Sequence, residues 1–177
     1  MHELRTLRLR LEPLEERHAL VLFEGLRQPE LYAYLDEPPP ESVAALRERY
    51  RRLERRRSPD GLEAWLNWAI RLNATGRYVG YVQATARRDD SASIAYVLFR
   101  DDWGHGFARE AVGAVIEHLQ RQRGTTRFLA TVDARNLRSI ALLEALSFVP
   151  GPDSGGANSL REPPATDLSY TLHVVPG

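Results

Sequence analysis

The sequence of 177 residues contains no cysteine and no lysine. Without cysteine the chain cannot build a disulfide, a thiolate zinc site or a cysteine nucleophile. Without lysine it cannot form a Schiff base or provide the lysine of a P-loop, which excludes many phosphoryl-transfer enzymes. All 24 basic side chains are therefore arginine, a bias that the composition of the source genome explains more simply than function does.

The sequence also lacks net charge and long apolar runs. Its 24 acidic residues balance the 24 arginines, so no overall field would recruit nucleic acid or an anionic membrane. No apolar run approaches the ~18–20 residues that span a bilayer, and residues 1–5 carry charges where a signal peptide is apolar. The five histidines show no metal-ligand spacing. We expect one cytoplasmic domain over residues 1–177, with no nucleic acid, membrane or metal among its partners.

The spacing of apolar residues predicts a strand and several helices in the first third of the chain. Period-2 alternation indicates a strand over residues 6–11, and short helices are expected within residues 14–35. A longer helix is predicted over residues 41–57. Its arginines are interleaved with glutamates, which favours a solvated helix face over a nucleic-acid site.

The rest of the chain predicts a sheet crossed by one long helix. Strands over residues 66–72, 78–86 and 93–99 form an antiparallel meander. The remaining elements are a helix from Phe107 that ends at Gly124, a mostly apolar strand at 128–132, a helix after Asn136, an exposed loop over 150–166 and a last strand at 168–175. The resulting order, β-α-α-α-β-β-β-α-β-α-β-β, is that of a mixed α/β sheet flanked by helices.

A Gly-x-Gly turn, Gly104-His105-Gly106, joins the third strand of the meander to the long helix. The first N–H groups of a helix have no intrahelical partner, and the helix dipole places partial positive charge there. Glycine lets the backbone approach a phosphate without a Cβ in the way. The turn therefore predicts an anion site, although it lacks the third glycine of a dinucleotide fingerprint and the Gly-Lys-Ser/Thr of a P-loop.

Three segments together resemble one enzyme family. Trp103-Gly104-His105-Gly106-Phe107-Ala108-Arg109-Glu110-Ala111 resembles the acetyl-CoA pyrophosphate loop of the GNAT N-acetyltransferases, in particular of their RimJ/RimL-type branch. Asn136-Leu137-Arg138-Ser139-Ile140, with Leu143 to Phe148 after it, is similar to the Asn-x-x-Ser helix of that branch. The pair of segments at 68–71 and 78–81 resembles the hairpin before the cofactor strand. The resemblance covers roughly residues 4 to 149.

The resemblance implies a GNAT-like, largely antiparallel central sheet that is splayed at the cofactor strand, with acetyl-CoA as co-substrate and no metal. Backbone groups of the cofactor strand would pair with pantetheine, amides of residues 104–109 would surround the pyrophosphate, and Asn136 and Ser139 would act at the thioester. The cofactor-binding residues implied are Val97, Leu98, Phe99, Gly104, His105, Gly106, Phe107, Ala108, Arg109, Asn136 and Arg138, and the catalytic residues are Ser139 and Asn136.

Each implied role has a structural alternative. Asn136 can be a helix N-cap and Ser139 a small packing residue, while Arg109 and Arg138 can be solvated surface residues. His105 is interpreted as an exposed residue or a phosphate neighbour, not as a base. If aromatic residues line an acceptor groove, the segment 29–37 is the expected source.

The chain departs from the family pattern at three positions. Ser93 and Ala95 replace the glutamate that can serve as general base and the glycine that follows it, and Ser147 replaces the glycine before Phe148, which suggests an altered backbone there. Without an assigned base, the acceptor must lose its proton easily. Neutralising an α-amine at pH 7 costs ~1.4 kcal/mol, against ~4.6 kcal/mol for a lysine side chain.

We therefore expect an N-acetyltransferase that acts on a primary amine, most favourably a protein or peptide N-terminus, as a monomer or homodimer. A small-molecule amine such as an antibiotic, polyamine or amino acid is the alternative acceptor. A non-catalytic acyl-CoA-binding protein is the alternative of a different class.

Overall fold

The computed structural model describes residues 1–35, 37–151 and 167–175. Eight strands form one sheet in the order β1-β2-β3-β4-β5-β6-β8-β7. The strands are β1 (Leu4–Arg5), β2 (Leu9–Pro13), β3 (Ala64–Leu72), β4 (Tyr78–Ala86), β5 (Ser91–Leu98), β6 (Arg127–Asp133), β7 (Val149–Pro150) and β8 (Asp167–His173). The helices are α1 (His18–Leu22), α2 (Val43–Leu53), α3 (Phe107–Arg123) and α4 (Leu137–Ala145), with 3₁₀ turns at Gly25–Arg27, Pro29–Ala33 and Arg100–Asp102.

The predicted fold class is confirmed, because the sheet is mixed and every pairing except β5–β6 is antiparallel. The two faces of the sheet carry separate apolar cores. One core packs under α3, whose inward stripe runs from Ala111 to Leu119. The other packs under α1 and α2 and contains Leu46, Tyr50 and Tyr81.

Two predictions about local structure were wrong. The strand expected over residues 6–11 is interrupted by a turn at Thr6 to Arg8, because the Thr6 N–H and hydroxyl both bond the carbonyl of Leu9. The loop expected from residue 150 begins later, because Pro150 pairs with Tyr170 in the β7–β8 ladder. The rest of that loop prediction, residues 152–166, lies outside the described residues.

Ser147 stands in place of the expected glycine at the end of α4, and the altered backbone that this suggested stays a prediction. It adopts φ +66°, the left-handed conformation that glycine would occupy at the end of α4. A side chain in this left-handed region carries a conformational cost that glycine would not.

The sheet divides where β5 meets β6. These parallel strands pair only from Ser91 to Ser93, opposite Arg127 to Leu129, and the rest of β5 diverges from β6. We call the space between the diverging strands the β5–β6 gap. Gly80 on β4 lies beside the far end of β5 with φ +144°, and a Cβ there would come within 2.0 Å of the Val97 carbonyl oxygen. Only glycine allows this close approach of the two strands beside the gap.

Among the described residues, no helix is both long enough and apolar enough to cross a bilayer.

Candidate functional site

A cavity of about 460 Å³ lies beside the diverging end of β5. We call it the main cavity. It brings together the end of β5, the loop before α3, the first turns of α3 and α4, and the segment around the second 3₁₀ turn. Its walls contain Glu30, Leu31, Tyr34, Leu35, Tyr96, Val97, Leu98, Asp102, Trp103, Gly104, Gly106, Phe107, Ala108, Arg109, Asn136, Arg138, Ser139, Ala141 and Leu142. Ten of the predicted site residues are in this wall, whereas Phe99 and His105 are not.

The loop from Gly104 to Arg109, which we call the glycine loop, presents N–H groups to the main cavity. Gly104 and Gly106 have φ values of +78° and +75°, and α3 makes its first backbone hydrogen bond from Glu110 N–H to the Gly106 carbonyl. Among the described residues, none accepts a hydrogen bond from the N–H groups of this loop. The loop is therefore built as an anion site at a helix N-terminus, as its sequence predicts.

The turn between β1 and β2 holds the glycine loop in place. Arg8 donates from Nη1 to the His105 carbonyl at 2.9 Å and from Nε to the Glu110 carboxylate at 2.6 Å. Its guanidinium lies over the Phe107 ring, on which His105 also stacks. Burial raises the pKa of Glu110, but hydrogen bonds from Thr6 and Arg8 outweigh this effect and leave the pKa below its usual value. Glu110 is therefore a carboxylate that anchors the loop.

The backbone of β5 alternates between β4 and the gap. Phe99 N–H donates to the Val79 carbonyl at one end of the ladder, and Arg87 N–H donates to the Ser91 carbonyl at the other. Because bonded pairs alternate in an antiparallel ladder, odd-numbered residues of β5 bond to β4, and Tyr96 and Leu98 face the gap.

The three predicted pantetheine contacts stay predictions, and the backbone groups of these residues are used differently. Phe99 has both backbone groups in use, because its carbonyl also accepts from Asp102 N–H, and the alternation directs the backbone of Val97 to β4. Leu98 has its carbonyl bonded to Trp103 Nε1 at 2.9 Å, which leaves its N–H for the gap. Tyr96, which the sequence analysis did not identify, contributes the other backbone groups at this edge.

Asn136 and Ser139 meet at the first turn of α4. Asn136 caps the helix, with Oδ1 accepting from the Ser139 N–H at 3.1 Å. The capping interpretation is thus observed, and the Nδ2 group remains available as a donor. The Tyr96 hydroxyl donates to Ser139 Oγ at 3.0 Å across the gap. Burial raises the pKa of Tyr96, partly offset by this bond, so the hydroxyl is protonated at neutral pH.

The two predicted phosphate arginines are exposed and border the main cavity. Arg138 stacks over the Trp103 ring, with its guanidinium carbon 4.5 Å from the ring centre. Arg109 projects from the first turn of α3. Among the described residues, neither arginine forms an ion pair, so both charges are free to meet an anion.

The departures from the family pattern leave no free carboxylate to act as a general base among the described residues of the main cavity wall. Ser93 accepts a hydrogen bond from Arg87 at 2.9 Å, away from the cavity wall. Among the described residues, the wall contains two carboxylates, and each is paired with an arginine. Asp102 is buried and accepts two hydrogen bonds from the Arg77 guanidinium, at 2.9 and 2.6 Å. Glu30 lies 3.2 Å from Arg100 Nε.

Comparison with known proteins decides the family. The acetyltransferase (GNAT) domain matches residues 8–149, most of the chain. The chain belongs to the GNAT acetyltransferase family. An N-acetyltransferase of Bacillus licheniformis called p20, itself uncharacterised, is 31% identical over 151 residues, which are 84% of this chain and 83% of that protein.

Solved GNAT acetyltransferases share the whole fold. RimL, a ribosomal L7/L12 alpha-N-protein acetyltransferase solved with coenzyme A, superposes with a TM-score of 0.85 at 17% identity and covers 98% of both chains. An acetyltransferase of T. thermophilus superposes at 0.77 with 25% identity, over 98% of this chain and 89% of that one. The GNAT fold and acyltransferase activity expected from the sequence are thereby confirmed.

Proposed function

We propose that this GNAT acetyltransferase transfers the acetyl group of acetyl-CoA to the α-amine at a protein or peptide N-terminus. One observation carries the proposal: the main cavity joins the unpaired donors of the glycine loop to the open edge of β5. Such donors suit a diphosphate, and an open strand edge suits an extended chain of amides. The similarity to RimL, named as an alpha-N-protein acetyltransferase, supports this acceptor class.

Acetyl-CoA supplies an acyl group activated as a thioester. The glycine loop would hold its diphosphate, with Arg109 and Arg138 able to add charged contacts. The backbone groups of Tyr96 and Leu98 that face the gap would bond the pantetheine amides. Asn136 would donate to the same arm through Nδ2, because its Oδ1 is already used in the helix cap.

Transfer forms a C–N bond and breaks the C–S bond. The amine must therefore be neutral when it attacks, and its nitrogen loses a proton afterwards. The sulfur of coenzyme A leaves as a thiolate. A backbone N–H that faces the gap would stabilise the oxyanion of the tetrahedral intermediate. Ser139 would donate its hydroxyl hydrogen to the departing sulfur, because the Tyr96 hydroxyl already donates to Ser139 Oγ and directs that hydrogen elsewhere.

The electrostatics of the wall support an acceptor of low pKa. Both carboxylates among the described wall residues, Glu30 and Asp102, are paired with arginine, so neither is a free base at the reacting nitrogen. An α-amine needs ~1.4 kcal/mol to become neutral at pH 7 and a lysine side chain ~4.6 kcal/mol. Bulk water can remove the proton from the first far more readily than from the second.

The test compares acceptors under identical conditions. One peptide has a free N-terminus and no lysine, a second is N-terminally blocked with one internal lysine, and spermidine represents small amines. We expect the highest kcat/KM for the free N-terminus. Preference for the lysine peptide contradicts the α-amine assignment, preference for spermidine favours a small-molecule enzyme, and calorimetric binding of acetyl-CoA without turnover of any amine favours the non-catalytic alternative.

A further inference from the structure

Trp103 directly precedes the glycine loop, and its side chain lies in the wall of the main cavity. The indole Nε1 donates a hydrogen bond to the Leu98 carbonyl at 2.9 Å, at the end of β5. The ring is half-buried and packs against both apolar cores, the one under α3 and the one under α1 and α2. The orientation of the ring is therefore held by a hydrogen bond at its edge and by packing on both sides of the sheet.

The residue before Trp103 anchors the turn on which the ring lies. Asp102 is 2% exposed, and its carboxylate accepts two hydrogen bonds from the guanidinium of Arg77, which lies between β3 and β4. The Asp102 N–H donates to the Phe99 carbonyl at 2.9 Å. A guanidinium that bonds a carboxylate through two parallel hydrogen bonds restricts the geometry of both groups. The position of the Trp103 ring is therefore set by the fold itself and needs no ligand.

The ring of Trp103 carries a charged side chain from the other part of the cavity wall. The guanidinium carbon of Arg138 lies 4.5 Å from the ring centre, within the range of a cation–π contact. Arg138 belongs to the first turn of α4, so the stack joins the segment after β5 to the helix after β6. An exposed arginine without such a contact samples many rotamers, and ordering it during binding lowers the affinity. The stack removes part of this cost in advance.

A stacked guanidinium keeps its capacity to bind an anion. The contact with the ring uses the flat face of the group, whereas its five N–H donors point outwards in its plane. These donors can form paired hydrogen bonds with the oxygens of a phosphate. Arg138 forms no ion pair among the described residues, and it lines the same cavity as Gly104 and Gly106 of the glycine loop. The stack therefore keeps an uncompensated positive charge at the wall that the glycine loop shares.

We infer that Trp103 is a positioning residue for the cofactor, and that its ring holds Arg138 where the in-plane N–H groups can meet a diphosphate bound in the glycine loop. This inference rests on the proposed function, which places the diphosphate of acetyl-CoA in that loop. Trp103 acts here through Arg138 and not through a contact of its own with the phosphates. The stack should therefore favour thioesters that carry the diphosphate over S-acetylpantetheine, which lacks it.

The experiment measures the Kd of acetyl-CoA by calorimetry for the native protein, Arg138→Ala, Trp103→Leu and the double variant. We expect each single variant to raise Kd about five- to tenfold, because the ordered cation is lost or released. The double variant should bind no more weakly than Arg138→Ala, since both changes remove the same contact. Trp103→Phe keeps an aromatic ring for the guanidinium and should stay within about threefold of the native Kd.

A second measurement separates positioning from general support of the fold. The ratio of kcat/KM for acetyl-CoA to kcat/KM for S-acetylpantetheine should fall at least about fivefold in Arg138→Ala and in Trp103→Leu. The matched control is Arg27→Ala, which removes a guanidinium 5.4 Å from the centre of the Phe23 ring, outside the main cavity wall. This control should change neither the Kd nor the ratio.

Three results would overturn the inference. Trp103→Leu would act only on the fold if it lowered kcat/KM for both thioesters equally, and independently of Arg138 if the two single losses of affinity multiplied in the double variant. Equal losses for Trp103→Phe and Trp103→Leu would show that the ring does not hold the guanidinium. If the native protein binds no acetyl-CoA, the proposed function itself fails, which is a distinct result.

Discussion

Tyr96 donates a hydrogen bond to Ser139 Oγ at 3.0 Å, which joins β5 to α4 across the gap in the sheet. Tyr96 faces the gap from the diverging part of β5, and Ser139 lies on the first turn of α4. The bond fixes the direction in which the Ser139 hydroxyl can donate, so Tyr96 is a positioning residue for the proposed hydrogen-bond donor to the departing thiolate.

Tyr96→Phe is expected to lower kcat about three- to tenfold, because the loss of one hydrogen bond leaves the Ser139 hydroxyl free to rotate. The KM for acetyl-CoA should change less than twofold, since the ring is retained. Steady-state kinetics of Tyr96→Phe, Ser139→Ala and the double variant make the check. The double variant should be no slower than Ser139→Ala alone, and full additivity would show that Tyr96 does not act through Ser139.

Gly106→Val is expected to weaken acetyl-CoA binding at least about tenfold, because a β-branched residue disfavours φ +75° and would move the glycine loop. Calorimetry gives the dissociation constant. The matched control is Gly124→Val at the other end of α3, where φ is +65° and a Cβ meets no atom within 4 Å. The control should lower Tm to a similar extent without weakening binding, and equal losses of affinity would contradict the anion-site assignment.

Glu110→Gln is expected to destabilise the protein by about 1–3 kcal/mol at pH 7, because the charged acceptor of Thr6 and Arg8 is lost. Since folding lowers the pKa of Glu110, its stabilisation is present above the usual carboxyl pKa and is lost as pH falls through the lowered one. The difference in unfolding free energy should therefore shrink below about pH 4.

Denaturant titrations at several pH values measure this difference. Glu117→Gln, also on α3, removes an exposed partner of Arg121 and should change stability by less than about 0.5 kcal/mol at any pH. A difference between Glu110→Gln and the native protein that stays constant down to pH 3 would contradict the anchoring role.

Ser147→Gly is expected to stabilise the protein by about 1 kcal/mol, because glycine adopts φ +66° without the cost that a side chain carries. For a chain of this size the gain corresponds to a rise in Tm of about 2–4 °C. Ala145→Gly, at the last residue of α4, should instead lower stability by up to about 1 kcal/mol. If both substitutions destabilise, the left-handed conformation of Ser147 is not strained.

The sequence predicted elements whose periodicity is strong and local. β4 has the predicted bounds, Tyr78–Ala86. α3 begins at Phe107 and stops at the left-handed C-cap Gly124, because the apolar spacing and the glycine at the helix end can both be read from one segment. The first strand was predicted as continuous because the Thr6 side-chain bond that breaks it has no signature in the alternation of Leu7, Leu9 and Leu11.

The candidate site was predictable only where a motif marks it. The glycine loop, Asn136 and Ser139 line the main cavity. Which β5 residues turn their backbone N–H and C=O groups to the gap depends on the β4–β5 register, and a shift of one residue would exchange the residues that face the gap with those that face β4. Tyr96 was missed for this reason.

The short ladder between β5 and β6 has a mechanical consequence. Strands β1 to β5 and strands β6 to β8 form two blocks of one sheet, joined edge to edge through Ser91, Ala92 and Ser93. A molecule bound in the β5–β6 gap would contact both blocks and hold them together beyond the short paired segment. Occupancy should then slow amide hydrogen exchange at Tyr96 and Leu98 first, and the spread of protection into β6 would report how rigidly the two blocks are coupled.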